Sequence, residues 1–499
     1  MRATLEFVQS KFDSPSRQLQ GLSDLEILVT GTRIYILAAG AADGGVSSYE
    51  ILNNGDVVSA DDILLTAGSG TLGVSDLTSF SAGGDTFVLA SGQFDNNQVV
   101  YQIGNNGSFS VSDNYTAPST YSGWNLTTVA DSGGNMYLFG GIWGGTGFFE
   151  FDVDTDADLS APELHPDDTG MFLGDVTAIH SATLHGKSFL FVASGVDAGL
   201  HSYELMPDGS LNLLFTAPPS LGGFAGVTSL ETVDVGGERS FVIVASAGTD
   251  SILVFRVSQG GKLQHADTFT DTNDTRIAGV SALEVFEVGG QYFLLAGGSD
   301  DGITLFEIDY RGRLKVLTTV VDDVNLALQN VTDIEAEIVG GELYVFVSSA
   351  TDHGFTQFVL DLPGGTGIIR GGPGEDSLTG TAGDDTIFGH GRADELFGLG
   401  GSDRLVDGLG PDVLWGGNGA DIFEFVPDNR TDWIKDFKVG VDRIDLSGYA
   451  LLYHSSAITF EPTLHGVTLT IKGDKLRIES FDGEQLTQAM FTEDDFIFG

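Results

Sequence analysis

Six aspartates in the C-terminal part of the chain recur every nine residues, and each lies two residues before an apolar side chain. A carboxylate supplies a hard anionic oxygen, and nearby glycines allow tight turns that bring backbone carbonyl oxygens close to a cation. Donors of this kind suit calcium. The six are Asp376, Asp385, Asp394, Asp403, Asp412 and Asp421.

The complete repeat follows the pattern G-G-x-G-x-D-x-U-x, in which U is apolar. The U positions are Leu378, Ile387, Leu396, Leu405, Leu414 and Phe423. Each repeat is expected to form half a coil of a parallel β-roll, with U turned inward and calcium between stacked turns. Asp376, Asp394 and Asp412 should line one edge of the roll, and Asp385, Asp403 and Asp421 the other.

The predicted calcium ligands are these aspartates together with turn glycines. The glycines are Gly371, Gly372, Gly374, Gly380, Gly383, Gly389, Gly398, Gly401, Gly410, Gly416 and Gly419. Several positions depart from the pattern, namely Thr381, His390, Arg392, Leu399 and Asp407. Binding should therefore be weaker around the third repeat. The alternative, a glycine-rich acidic linker without metal, does not explain a nine-residue register of apolar residues.

Residues 371–424 resemble the RTX, or hemolysin-type, family of calcium-dependent proteins exported by type I secretion. The resemblance implies Ca²⁺ as cofactor, a type I exporter as partner and an uncleaved C-terminal export signal. The chain's ending, FTEDDFIFG, is acidic and apolar as in that family. The segment TDWIKDFKVGVDRIDLSGY resembles the one that usually follows such rolls, and it is expected to cap the last coil.

Composition limits the classes of partner. The 499 residues include 71 acidic and 22 basic side chains, for a net charge of −49, which argues against nucleic acid or an anionic membrane. Cysteine is absent, so disulfides and thiolate sites are excluded. Because the apolar content is 41%, the chain can build packed cores, and its length predicts two domains.

The N-terminal residues lack the apolar core of a cleavable signal peptide, and no run is long enough for membrane insertion. Extracellular calcium modules bind in the range of roughly 0.1 to 1 mM, far above cytosolic calcium. The resemblance therefore predicts a secreted, extracellular protein whose export signal lies at its C-terminus.

A slower repeat fills the first 365 residues. Apolar-to-small segments recur about every 52 residues, as LAAG, LASG, LFGG, VASG, VASA, LAGG and VSSA. Strand-like runs flank each one, giving four antiparallel strands per unit, seven times over. This predicts an all-β chain with an N-terminal seven-bladed β-propeller followed by a C-terminal parallel β-roll. Six or eight blades, a sandwich and a solenoid are the alternatives.

The seventh unit lacks a fourth strand, whereas residues 3–12 form a lone strand before the first unit. The N-terminal strand is expected to close the last blade and remove open edges. The predicted domains are a propeller over 1–365, an RTX roll over 366–424, and a capping and secretion-signal region over 425–499. The propeller resembles the broad class that includes WD40-like, lactonase-like and lyase propellers.

Acidic residues recur in the loop between the second and third strands of the blades. They are Asp43, Asp95, Asp197, Asp250, Asp300, Asp301 and Asp352, with Trp143 in the third blade instead. One interpretation is that they are turn formers that bond to loop backbone. The other is a ring of carboxylates that holds a cation or a sugar, with Trp143 and Trp124 as stacking partners.

Two functions of different class fit this sequence. The first is a binding or adhesion module for an extracellular polysaccharide or surface protein. The second is a secreted enzyme, a polysaccharide lyase or lactonase-type hydrolase with a divalent cation. Its candidate residues are His180 and His185 on the innermost strand of blade four, His201 and Tyr203 on its third strand, and His353 beside Asp352. No serine elbow, paired zinc-ligand motif or phosphate loop occurs.

Overall fold

The structure, a computed structural model, is all-β. It describes residues 3–14, 19–42, 44–64, 73–92, 97–116, 124–142, 144–167, 172–217, 224–235, 239–288, 291–309, 311–362, 368–371, 374–449 and 452–498. The chain divides into two compact units. One holds residues 2–286 and 292–361, and the other holds residues 362–499 with 287–291 and Met1. No helix in the described ranges is long and apolar enough to span a membrane.

Within the described residues, the larger unit consists of seven four-stranded sheets, which are the blades of a propeller. Blades one to three are β2 (Leu22–Thr30), β3 (Arg33–Gly40), β4 (Gly45–Ile51) and β5 (Val57–Leu64); β6 (Val74–Ala82), β7 (Asp85–Gly92), β8 (Asn97–Ile103) and β9 (Phe109–Thr116); and β10 (Trp124–Ser132), β11 (Asn135–Ile142), β12 (Phe148–Val153) and β13 (Glu163–His165).

Blades four to six continue the same order of strands. They are β14 (Val176–Leu184), β15 (Lys187–Ser194), β16 (Gly199–Leu205) and β17 (Leu211–Ala217); β18 (Val227–Asp234), β19 (Ser240–Ser246), β20 (Ser251–Val257) and β21 (Leu263–Thr270); and β22 (Val280–Val288), β23 (Gln291–Gly298), β24 (Gly302–Ile308) and β25 (Leu314–Val321). A short 3₁₀ turn, Ala247–Thr249, separates β19 from β20.

The last blade combines both ends of the unit. Its strands are β26 (Val331–Val339), β27 (Glu342–Ser349), β28 (Gly354–Asp361) and β1 (Thr4–Phe12). Strand β1 pairs antiparallel with β28, from Thr4 opposite Asp361 to Phe12 opposite Gly354. The first strand of blade one, β2, contacts its counterparts β6 and β26. The ring is therefore closed by the N-terminal strand, and the predicted seven-bladed propeller is confirmed.

The second strand of each blade explains the repeated apolar-to-small segments. Strands β3, β7, β11 and β15 share one burial pattern, in which the last six residues are all buried. Both faces of such a strand are covered by apolar side chains, as where Phe189 and Phe191 of blade four pack in one cluster with Val242 and Val244 of blade five. Continuous apolar runs follow from this double burial.

The smaller unit is a roll of two sheets. One has the order β29 (Ile368–Arg370), β31 (Thr386–Phe388), β33 (Arg404–Val406), β35 (Ile422–Glu424), β37 (Arg443–Asp445) and β41 (Phe496–Ile497). The other has the order β30 (Ser377–Thr379), β32 (Glu395–Phe397), β34 (Val413–Trp415), β36 (Thr431–Phe437), β40 (Asp474–Ser480), β39 (Gly466–Ile471) and β38 (Thr459–Thr463). Short 3₁₀ turns are Ser455–Ala457, Gln488–Met490 and Glu493–Asp495.

The apolar residue of each repeat packs inside the roll, as predicted. Ile387, Leu396, Leu405, Leu414 and Phe423 are completely buried in one cluster. Strands two repeats apart pair in parallel, for example β31 with β33 and β32 with β34. The fold class, a propeller followed by a parallel β-roll, is confirmed.

The segment 431–449 differs from the expected cap, because it first extends the roll by another coil. Strand β36 pairs in parallel with β34, and β37 with β35. The reason is visible in the residues, since Asp432 precedes Ile434 and Asp442 precedes Ile444 by two positions, and both isoleucines are buried. Strands β38, β39 and β40 then form a three-stranded antiparallel meander that continues the second sheet.

Candidate metal centre in the roll

One carboxylate oxygen of the repeat aspartates ties neighbouring coils together. On the first edge the amide of Asp376 donates to Oδ1 of Asp394 at 2.8 Å, and the amide of Asp394 donates to Oδ1 of Asp412 at 2.8 Å. The amide of Asp412 then donates to Oδ1 of Asp432 at 3.1 Å. The predicted edge is therefore continuous and gains one aspartate from β36.

The second edge repeats this geometry. The amide of Asp385 donates to Oδ1 of Asp403 at 2.8 Å, and that of Asp403 to Oδ1 of Asp421 at 3.0 Å. The amide of Asp421 donates to Oδ1 of Asp442 at 3.1 Å. Two parallel ladders of carboxylates thus stand where the sequence placed them.

Five of the ladder aspartates have one carboxylate oxygen that is buried and has no hydrogen-bond partner. These buried and unpartnered atoms are Oδ1 of Asp385 and Oδ2 of Asp394, Asp403, Asp412 and Asp421. The five residues are at most 3% exposed to solvent. A buried carboxylate oxygen without a partner is costly, and such groups are normally paired or coordinate a metal. The free oxygens fit the calcium that the fold implies.

The predicted glycines leave space beside these oxygens. A Cβ on Gly398 would lie 2.3 Å from Oδ2 of Asp403, and one on Gly416 would lie 2.4 Å from Oδ2 of Asp421. Gly371, Gly380 and Gly389 hold the same position in their turns, each beside Oδ2 of its own repeat aspartate. At these five glycines a Cβ would crowd the ladder carboxylate.

Glycines in the second half of the turns have a different reason to be there. Gly410 and Gly419 have φ of 141° and 146°, and a Cβ on either would meet a carbonyl oxygen of the stacked coil at 1.5 Å. Gly401 has φ of 119°, and a Cβ on it would lie 2.3 Å from the backbone of Gly383. Gly374 has open space around it, and Gly372 lies outside the described residues.

The departures from the pattern keep the turn conformation. His390, Arg392 and Leu399 have φ of 70°, 87° and 72°, values that L-residues rarely adopt. The turns of the third and fourth repeats are thus formed in spite of strained residues. Weaker binding around the third repeat stays a prediction.

Burial raises the pKa of the ladder carboxyls. The pKa rises to about 6 for Asp394 and Asp403 and to about 8 for Asp412, where the charges of Asp432 and Asp394 add to the effect of burial. The charged form is therefore disfavoured in the roll alone. A bound divalent cation would reverse this by stabilising the ionised carboxylates.

The acidic loops of the propeller have structural partners. Oδ2 of Asp197 accepts the amide of Gly174 at 2.7 Å, and Oδ1 of Asp250 accepts the amide of Gly279 at 2.7 Å. Oδ2 of Asp352 accepts the amide of Gln329 at 2.9 Å. Since these amides precede the innermost strands β14, β22 and β26, the carboxylates fix loops, which favours the turn-forming interpretation.

Two further loop residues lie in the described ranges and have their own local settings. Oδ2 of Asp300 lies 3.7 Å from Nη1 of Arg276, and Asp301 takes φ of 45° in the turn itself. Asp43, Asp95 and Trp143 lie outside the described residues. For Trp124 the structure gives only its place at the start of β10.

Sequence reasoning missed a set of carboxylates on the innermost strands. They are Asp24, Glu26, Asp76, Glu231, Glu284, Asp333 and Glu335. A signal for them existed, because an acid recurs at the third or fifth position of the runs LSDLE, VSDLT, VTSLE, VSALE and VTDIE. Because the same strands also carry the apolar residues of the core, this signal is easily read as strand periodicity alone.

Three of these aspartates join one blade to the next. Oδ2 of Asp333 accepts the amide of Leu25 at 3.0 Å, and Oδ2 of Asp24 accepts that of Leu77 at 2.5 Å. Oδ2 of Asp76 accepts both the amide of Thr127 at 2.9 Å and its hydroxyl at 2.6 Å. Each carboxylate therefore satisfies a backbone donor of the neighbouring innermost strand.

Burial raises the pKa of these groups as well. The pKa of Glu26 and of Glu231 rises to about 8, and that of Asp333 to about 7. The pKa of Glu284 and of Glu335 also lies well above the usual range, because burial is reinforced by the charges of other acids on the innermost strands.

The candidate catalytic histidines are engaged separately. Nε2 of His180 lies 3.1 Å from the Thr232 hydroxyl, and Nδ1 of His201 lies 3.2 Å from the Thr216 hydroxyl. Nδ1 of His353 accepts the amide of Gly21 at 3.0 Å. Burial lowers the pKa of His180 to about 4. Nδ1 of His180 also lies 4.0 Å from Oε1 of Glu231, while the hydrogen bonds of His201 and His353 are made on other strands or loops.

The placement of two other candidates also bears on catalysis. His185 was predicted on the innermost strand of blade four, which is wrong by one residue, because β14 ends at Leu184 and His185 occupies the following turn with φ of 53°. Its Nε2 lies 3.2 Å from the carbonyl oxygen of Val257. Tyr203 lies on the third strand, as predicted, and is buried.

A depression of about 780 Å³ opens among the turns of blades two to four. Its walls carry five carboxylates and the ring of Tyr137; the carboxylates are those of Asp131, Asp152, Asp154, Asp158 and Asp208. Carboxylates accept hydrogen bonds from hydroxyl groups and repel anions, so this surface suits a neutral, hydroxyl-rich ligand or a cationic one.

Two solved structures are similar to this chain. The propeller resembles the crystal structure of a protein from Lactobacillus plantarum, at 12% identity and a TM-score of 0.51, over 65% of this chain and 90% of that one. A structure of the Dos1 propeller aligns at 13% identity with a TM-score of 0.44, over 68% and 78% of the two chains. The curated proteins contain no match to this sequence.

The C-terminal match is to a sequence family. The model of the family "Peptidase M10 serralysin C terminal" matches residues 360–488. This range includes all six nonapeptides and every strand from β29 to β40. Residues 360–488 are therefore an RTX-type serralysin C-terminal domain, carried behind a seven-bladed propeller.

Proposed function

We propose that this protein is a secreted, calcium-dependent binding protein. Its roll would fold when it meets calcium outside the cell, and its propeller would recognise an extracellular polysaccharide or a surface protein. The observation that carries the proposal is the row of buried aspartates that each leave one carboxylate oxygen without a partner.

The electrostatics of the ladders support calcium-dependent folding. Stacked carboxylates repel one another, and burial disfavours their charged form, as the raised pKa of Asp412 shows. A cation that binds only the folded roll stabilises it by mass action, and ligand deprotonation couples binding to folding. Because cytosolic calcium is low, the roll would stay open during passage through the type I exporter that the family implies.

One surface of the propeller supports a role in recognition. The hydrogen bonds of the candidate histidines His180, His201 and His353 are made to different partners and do not themselves define a site. The acidic depression around Tyr137 offers hydrogen-bond acceptors in a concave surface, which favours hydroxyl-rich chains over anionic ones. Neutral polysaccharides are therefore the ligand class to test first.

Far-ultraviolet circular dichroism of the full chain tests the calcium step. Strand content should rise on adding about 1 to 5 mM calcium and should fall again with chelator. The same concentration of magnesium is the control, since its strict octahedral preference suits the turns less well. A spectrum and melting temperature that calcium leaves unchanged would contradict the proposal.

Recognition is tested separately with calcium present throughout. Thermal unfolding of the full chain should shift upward with a neutral polysaccharide and remain unshifted with a polyanionic one of similar length. Replacing Asp154 and Asp158 with asparagine should remove the shift if the depression is the binding surface. A shift produced only by the polyanion would contradict the proposed ligand class.

A further inference from the structure

We infer that Asp407, Asp412 and Asp432 form a divalent-cation site of their own, tighter than the other turns of the roll. The inference rests on the proposed function in one respect, since it takes calcium as the ion that the roll meets. It goes further in assigning one turn a distinct ligand set and a distinct affinity.

The three carboxylates converge from separate parts of the chain. Asp407 opens the fifth repeat, Asp412 is the ladder aspartate of that repeat, and Asp432 lies on β36. All three are buried, and one oxygen from each lies within 4.8 Å of the others. Among the described residues, this is the group of acids and histidines whose donor atoms are close enough together to hold one ion.

An unpartnered atom points to a ligand at this place. Oδ2 of Asp412 has no hydrogen-bond partner, and the residue is 1% exposed. Oδ1 of Asp474, at the start of β40, is likewise buried without a partner, and the charge of Asp474 acts on Asp432. A cation would satisfy the Asp412 oxygen and offset the repulsion among the group.

Asp407 is what separates this turn from the others. The repeat has glycine at this position, and in the neighbouring turns a Cβ on Gly398 or Gly416 would touch the ladder carboxylate. Here the position carries a carboxylate instead, with one oxygen within 4.8 Å of an Asp412 oxygen. Its Oδ1 accepts the amides of Gly408 at 2.5 Å and Val426 at 3.0 Å, which fixes its orientation.

The added charge predicts the higher affinity. An ordinary turn of the ladders has two carboxylates, its own and that of the stacked coil, whereas this turn has three. The affinity of oxygen-ligand sites for calcium rises with the number of charged ligands and with rigidity. Carboxylate and carbonyl oxygens without nitrogen or sulfur select a hard cation such as calcium.

The matching turn on the opposite edge carries a basic side chain. There Nζ of Lys438 donates to the carbonyl oxygen of Gly417 at 2.5 Å. A built-in ammonium thus supplies positive charge at that end of the second edge, so the tight site is assigned to the Asp407 edge alone.

Calorimetric titration of the full chain with calcium tests the site. Asp407→Gly restores the residue of the repeat, and Asp407→Asn removes the charge while keeping an oxygen for the amides of Gly408 and Val426. Both variants should weaken the tightest class of sites by roughly tenfold and leave the remaining sites unchanged. Asp376→Asn, on the same edge but in the first repeat, is the control and should leave the tightest class intact.

The outcomes distinguish failure of this inference from failure of the proposed calcium binding by the roll. Several sites with an unaltered tightest class in both Asp407 variants would overturn the inference and leave the proposed function standing. A wild-type chain that binds one ion, lost in both variants, would support the site and contradict a loaded ladder. Binding of no ion by the wild type would overturn both. Circular dichroism at saturating calcium checks that each variant is folded.

Discussion

The propeller and the roll both hold carboxylates away from bulk solvent, but among the described residues only the roll has carboxylate oxygens that are buried and without a partner. In the propeller, Asp76 accepts the amide and the hydroxyl of Thr127 in the next blade. In the roll, Asp403 accepts the amide of Asp385 through one oxygen, and its other oxygen has no partner. Burial of an acid alone therefore does not identify a ligand site. A buried carboxylate oxygen without a hydrogen-bond partner is the feature that distinguishes a candidate cation ligand from a structural carboxylate.

The same contrast explains how the two regions should respond to calcium. Carboxylates on the innermost strands hold neighbouring blades together through backbone amides, so they have a role whether or not a cation is present. Carboxylates of the roll have a completed environment only with a bound ion. Three substitutions test this difference, from the largest expected effect to the smallest.

The largest effect is expected from Asp76→Ala. The substitution leaves the amide and hydroxyl of Thr127 without their acceptor, which should destabilise the propeller by about 2 kcal/mol. Differential scanning calorimetry of the full chain should show this loss with calcium and with chelator alike. Asp76→Asn keeps one acceptor oxygen and should lose less. A loss of stability that appears only with chelator would contradict the claim that the role of Asp76 does not depend on calcium.

An intermediate effect of a different kind is expected from Asp403→Asn. The amide oxygen can still accept the Asp385 amide, but one charge is removed from the ladder, so calcium affinity should fall roughly tenfold, or about 1.4 kcal/mol. In chelator the variant should be no less stable than the wild type, because an unpartnered buried charge has been removed. Calcium titration and chelator-state calorimetry give the two readings, and destabilisation in chelator would argue for a structural role.

The smallest effect is expected from Glu231→Gln and depends on pH. Burial raises the pKa of Glu231 from 4.5 to about 8, so between these values the folded state keeps a proton that the unfolded state releases. Stability from this group is therefore present at low pH and is lost as pH rises to about 8. Glutamine does not ionise, so the variant should be more stable by about 1 kcal/mol at pH 8 and equal near pH 4.

Thermal unfolding of the full chain across this pH range measures the difference. Glu342→Gln is the matched control, since Glu342 is exposed at the start of β27. Glu231→Gln that is less stable than wild type at pH 8 would mean that the carboxylate is needed in its charged form.

The repeat units were predictable from the sequence because each carries its own periodicity. A D-x-U register fixes both the inward residue and the ladder position, and it holds again at Asp432 with Ile434 and at Asp442 with Ile444. Those two were not assigned to the ladders because intervening loops break the nine-residue spacing after Asp421. At both places an aspartate still precedes a buried apolar residue by two positions, but the distance from the preceding repeat is no longer nine residues.

The roles of the propeller acids could not be predicted in the same way. Whether Asp76 or Asp197 is a ligand or a hydrogen-bond acceptor depends on amides supplied by Thr127 and Gly174, which lie far along the chain or in another loop. A sequence shows where an acid recurs but not which donors reach it. The separation of the histidines on β14 and β16 from His353 likewise follows from tertiary packing alone.

Hydrogen–deuterium exchange of the full chain with calcium and with chelator tests the central claim most directly. With calcium, amides of β31 to β37 in the roll should be protected, and with chelator they should exchange rapidly, while those of β15 and β19 in the propeller stay protected in both. Protection of the roll strands that is equal with and without calcium would contradict the account, because the unpartnered carboxylates would then need no cation.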